Sequence, residues 1–160
     1  MHGAALALLI LGQAAPATAP AAAPAASPVT LLSGAELVAK IKAAPPEAGQ
    51  TGIYTVRLSA PSDQPVIGLR RTGPGRSELH AKFADVWYVV QGAGTVVTGG
   101  SIAGGAETQP GEIRGSGIEG GTSKRIQAGD FGVVPAGVPH WVSAVEGELL
   151  YLVVKVPASQ

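Results

Sequence analysis

The sequence predicts an all-β fold with one short helix near its start, on three observations. From Gly52 onward, short runs of β-branched and aromatic residues recur at close spacing. The 160 residues include 23 glycines and 13 prolines, the composition of a chain that turns often. Helical periodicity is found at a single place, residues 35–43. The length suits one domain, and a hydrophobic content of 46% is enough to build a core.

The elements follow in order. Ala4–Leu11, AALALLIL, is too short to span a bilayer, which takes roughly 20 residues. Small residues follow it, with Ala-x-Ala sites at Ala15–Ala17 and Ala21–Ala23, so the segment reads as an export signal. No Lys or Arg precedes the run, and His2 is the one residue there that can carry charge. Ala14–Pro28 is rich in Ala and Pro and reads as a linker. Residues 1–28 are thus expected to be signal peptide and linker, with one domain over 29–160. That makes the protein periplasmic or secreted, with no stable membrane span after cleavage.

Ser33 and Glu36 have capping-box spacing ahead of Leu37, Val38 and Ile41, and Pro45-Pro46 ends the helix. It is expected to pack outside the strands. Strands are then predicted over 53–58, 66–71 and 86–90. The glycines at 92 and 94 read as a tight turn into a further strand over 95–98. Residues 99–121 read as a long glycine-rich excursion with a short strand at 112–114, placed to lie over a site as a lid. Later strands are predicted over 122–126, 131–134, 141–145 and 148–156. Many short strands of this kind suggest a sandwich or barrel.

Lys+Arg and Asp+Glu both number 11, so the basic excess of a nucleic-acid-binding domain is missing. With no cysteine, thiol chemistry and Cys-based zinc sites are excluded. The chemistry must then come from histidines and carboxylates. Of three histidines, His2 lies in the export segment. Glu78 and His80 are two apart, so an extended strand points both side chains from one face. Asp85 is at an odd offset and reaches that side only if the chain turns near residues 82–84. His140 follows the stiff bend Pro135-Ala136-Gly137-Val138-Pro139. Trp87, Tyr88 and Trp141 read as packing. Arg57, Arg70, Arg71, Lys82 and Lys155 read as solvated strand faces.

These two segments resemble the paired motifs of the cupin superfamily. Gly129, Pro135, Gly137 and His140 meet the second motif in full. In the first, Glu78 stands where a histidine is usual, His80 is the second histidine, Asp85 replaces a glutamate, and Gly92 closes the motif. Gly73 precedes Glu78 by one residue too few. The Thr98-Gly99-Gly100 after the motif is similar to a group of small bacterial cupins. The resemblance covers roughly residues 53–156 and implies an antiparallel jelly-roll β-barrel with one divalent metal held by Glu78, His80, Asp85 and His140. Such a mixed N/O set suits Mn, Fe, Ni, Zn or Cu(II). The implied function is a metal-dependent enzyme on a small organic molecule, of oxygenase or isomerase type. The alternative is a non-catalytic periplasmic module that binds a small molecule or metal, and a third is a structural barrel without metal. Cupins often pair, so a homodimer is expected, and the apolar run 149–156 reads as a central strand or an interface edge.

Overall fold

The structure, a computed structural model, describes residues 29–60 and 64–158. The signal and linker expected over 1–28 lie outside the described residues. Helix α1 (Gly34–Lys42) carries the capping box in full: the Ser33 hydroxyl accepts from the Glu36 N–H, and the Glu36 carboxylate accepts from the Ser33 N–H at 2.8 Å. Its one fully buried residue, Ile41, lies over Gly68, where a Cβ would come within 2.6 Å of the isoleucine. Gly68 is therefore the gap that seats the helix on the outside of the sheet.

Eleven strands follow: β1 (Ile53–Arg57), β2 (Val66–Arg71), β3 (Ser77–His80), β4 (Phe83–Thr98), β5 (Ser101–Ala103), β6 (Ala106–Gln109), β7 (Glu112–Gly115), β8 (Gly117–Glu119), β9 (Thr122–Gln127), β10 (Phe131–Val134) and β11 (His140–Pro157). All their pairings are antiparallel, and nine of them form one curled sheet with the β5–β8 pair beside it. The curled antiparallel sheet fits a jelly-roll. Among the described residues no helix is long and apolar enough to cross a membrane.

Two long strands form the spine. β4 is one strand of 16 residues and does not make the hairpin expected at residues 92–94. β11 is likewise one strand of 18 residues in place of the two expected. The strands pair along their whole length, and the register slips between Val145 and Leu149 and again between Leu150 and Tyr151. The glycines there serve a bulge and not a chain reversal. Gly92 has a φ of +81°, and a Cβ on it would lie 1.9 Å from the Glu148 carbonyl oxygen. Only glycine lets the backbones meet so closely, and the bulge bends both strands together. Run 149–156 is a central strand, hydrogen-bonded to β2 on one side and β4 on the other, and not an interface edge.

The glycine-rich excursion is also ordered differently from expectation. It holds β5, β6, β7 and β8, and β7 pairs with β3 directly beneath the site, so it is wall and not lid. The strand expected at 112–114 is β7; backbone pairing needs no large apolar side chains, which is why β5, β6 and β8 gave no strand signal. The core gathers Trp87, Val89, Val96, Val134, Val142, Leu149, Tyr151 and Val153 on the inner face. Tyr88, expected to pack, points outward and is 47% exposed, because it alternates with Trp87 and Val89.

Candidate metal site

Glu78 and His80 sit on β3 and are paired across to Arg114 and Glu112 of β7. The other neighbour of β3 is the start of β11, where His140 lies opposite Glu78. The bend 135–139 delivers His140: the Gly137 N–H donates to the His80 carbonyl at 2.8 Å, and the Gly99 N–H donates to the Pro139 carbonyl at 2.9 Å. The two histidine segments, 60 residues apart in sequence, are thus tied by a backbone hydrogen bond. The break at Ala81-Lys82 lets Asp85, on β4, turn back toward the same point.

All four residues singled out in the sequence come together. Glu78, His80 and His140 each offer a ligand atom, and these atoms lie within 4.8 Å of one another. An Asp85 oxygen is 3.6 Å from His80 Nε2 and 3.7 Å from His140 Nε2. The imidazole centroids are 5.2 Å apart, and Trp87 closes one side with its ring 5.6 Å from that of His140.

Both imidazoles are oriented by their outer nitrogens. His80 Nδ1 lies 2.6 Å from the Glu112 carboxylate, an acceptor, so Nδ1 carries the proton. His140 Nδ1 lies 3.1 Å from the Val138 carbonyl and donates to it. In each ring Nε2 is left facing the other three residues. Carboxylate or carbonyl support of this kind is what fixes a metal-binding histidine.

Burial pushes the His140 imidazole below its usual range despite the Glu78 and Asp85 carboxylates, so it is neutral and its lone pair is free. Burial acts the same way on His80, but Asp85 and Glu78 outweigh it and raise the group to about 9, so Nε2 holds a hydrogen at neutral pH and gives it up when an ion takes its place. Burial would raise Glu78, yet His80, Arg114, His140 and Arg71 together bring it down to about 2. Asp85 is likewise lowered, with burial outweighed by His80 and Lys155. The site therefore holds two ionised carboxylates that attract positive charge.

Four further residues complete the site, and the sequence did not mark them as site residues. Arg114 donates to Glu78 at 2.7 Å. Arg71, 4% exposed, donates from Nε to the Tyr151 hydroxyl at 2.7 Å and lies 3.6 Å from Glu78 through Nη2. Glu112 supports His80. Lys155 Nζ donates to Asp85 at 2.6 Å and lies 2.7 Å from His80 Nε2. At that separation a single hydrogen is shared between those two nitrogens. Arg71 and Lys155 are thus inward residues and not the solvated faces expected of them. The runs VIGLRR and LLYLVVKV are apolar at both parities, so alternation gave no phase. A cue was present in Lys155, the one charge in that run, in step with Tyr151 and Val153.

The site opens into a cavity of about 360 Å³ inside the curled sheet. Its walls include Arg57, Arg71, Arg114 and Lys155 beside apolar residues such as Leu69 and Val153. Trp141, on the wall, donates its indole N–H to the Gly75 carbonyl at 2.7 Å.

The cupin family profile matches residues 76–160, more than half of the chain, and the protein belongs to the cupin family. Members of this family commonly hold a divalent metal, and Glu78, His80 and His140 form a possible site for one. The fold is shared with KdgF from Halomonas sp., at 22% identity and a TM-score of 0.50, covering 71% of this chain and 87% of that one. It is shared also with a predicted oxalate decarboxylase from Thermotoga maritima, at 14% identity and a TM-score of 0.51, covering 74% and 97%. At such identities the likeness speaks for fold alone. No curated protein matches the sequence.

Proposed function

We propose that this cupin binds one divalent transition metal through Glu78, His80 and His140, with Asp85 as fourth ligand, and acts on a small anionic organic molecule. The observation that carries the reading is the convergence of three ligand atoms within 4.8 Å at the cavity. The donor set fits a metal: two imidazoles with their outer nitrogens occupied, and two ionised carboxylates. A bound ion of this kind would supply Lewis-acid polarisation or oxygen activation.

Charge supports the class of substrate. Around the site, Glu78, Asp85 and Glu112 are matched by Arg71, Arg114 and Lys155. A divalent ion added to this balanced set leaves an excess of positive charge, which a carboxylate-bearing molecule would neutralise. Arg71 and Arg114 are oriented by Tyr151 and Glu112 and can hold such a group. The reading is of oxygenase or isomerase type. Export of the chain, read from residues 1–28 alone, places the activity in the periplasm or outside the cell.

A second reading is a binding module without turnover. It is favoured by Lys155, which satisfies His80 and Asp85 in the absence of an ion. Metal analysis of natively purified protein tests the first reading. Wild type is expected to carry one equivalent of a divalent ion, and His140→Ala to lose it while remaining folded by circular dichroism. Wild type that takes up none of Mn, Fe, Ni, Zn or Cu after dialysis refutes it. Turnover or oxygen consumption on a panel of small carboxylates then separates enzyme from binding module.

A further inference from the structure

We infer that Lys155 is a resident cation that stands in the metal's place and must be displaced when the metal binds. The inference rests on the metal reading above and concerns the same site.

The geometry carries it. Lys155 Nζ is 2.6 Å from Asp85 Oδ1 and 2.7 Å from His80 Nε2, so its head group lies between two of the candidate ligands. His80 Nδ1 is committed to Glu112 at 2.6 Å, which leaves Nε2 as the one ring position for a further partner. Nε2 can share a hydrogen with Lys155 or bind an ion, and it cannot do both. Lysine and metal are therefore mutually exclusive at His80.

The position is built and not incidental. Lys155 lies directly opposite Asp85 in the β11–β4 register, so the backbone holds the stem in place. The side chain is 20% exposed and lines the cavity, which gives it space to withdraw. The four-carbon stem can swing by rotation of its own torsions. Without the lysine, Asp85 would be a buried carboxylate whose remaining contacts here are to imidazoles.

Two consequences follow. The lysine lets the chain fold with its metal ligands satisfied, and it lowers metal affinity because a charge-assisted pair must open first. Once displaced, its ammonium stands beside the ion on the cavity wall, where it adds to the cationic surface offered to an anionic molecule.

The test is metal affinity, measured by competition with a chromophoric chelator for Mn(II), Ni(II) and Zn(II). Wild type, Lys155→Met, Lys155→Gln and His140→Ala are compared, each checked for fold by circular dichroism. Lys155→Gln keeps a hydrogen-bond donor to Asp85 and serves if Lys155→Met does not fold. The inference expects either lysine variant to bind metal about tenfold or more tightly than wild type, the worth of one charge-assisted contact. It also expects melting temperature without metal to fall and to be restored by added metal. Wild type binding that is lost in His140→Ala, with the folded lysine variants no tighter, overturns this inference alone. Binding in none of the proteins overturns the metal reading and the inference with it.

Discussion

Glu112 offers a sharp test of how the site is assembled. Its carboxylate lies 2.6 Å from His80 Nδ1, and the two residues face each other across the β3–β7 pair. Removing a carboxylate that supports a metal-binding histidine costs roughly 10–100-fold in metal affinity. That is about 1.4–2.7 kcal/mol. The same carboxylate is shared with Arg114 Nη2 at 3.5 Å, which draws off part of its charge. The loss should fall toward the lower end, about tenfold for Glu112→Gln, whose amide oxygen still accepts, and more for Glu112→Ala. Chelator competition for Mn(II), Ni(II) or Zn(II) measures it, with circular dichroism confirming the sheet. The reasoning fails if folded Glu112→Ala binds within about twofold of wild type while His140→Ala does not bind, because the imidazole would then need no outer partner.

Two further outcomes follow from the packing. Gly92→Ala should destabilise the protein by more than about 2 kcal/mol, since its φ of +81° disfavours any Cβ and the added carbon would overlap the Glu148 carbonyl. Gly132→Ala, where no atom lies within 4 Å of the new carbon, is the control and should stay within about 0.5 kcal/mol. Equal denaturant midpoints for the two variants would count against the bulge. Burial pushes the Tyr151 phenol above its ordinary range, the nearby Arg71 notwithstanding. Its folded pKa being raised, its contribution to stability is intact below the unfolded value and is lost as pH rises past it. The alkaline absorbance of native protein should therefore be the same in Tyr151→Phe and wild type, and differ only after unfolding. A smaller native phenolate signal in Tyr151→Phe would show that the group titrates in the folded state.

Much of this was legible in the chain itself. The capping box at Ser33, the strands over 66–71 and 131–134, and the motif ending in His140 each depend on neighbours in sequence, so local chemistry was enough. The parity of Glu78 and His80 placed both on one strand face for the same reason. Where the reading failed, two states share one local signal. The glycines at 92 and 94 suit a hairpin turn and a bulge equally well, and only the partner strand, pressing the Glu148 carbonyl against Gly92, selects the bulge.

The sequence alone determined the fold class, the family resemblance and the residue types available for chemistry. Tertiary structure alone decided which charges face inward. Arg71, Arg114, Glu112 and Lys155 lie on three strands, β2, β7 and β11, and apart from the phase of Lys155 nothing near them in sequence distinguishes a solvated strand face from a buried one. The distinction arises when β2, β7, β4 and β11 meet around one cavity. There, low dielectric and nearby carboxylates make each cation's position a property of the assembled sheet.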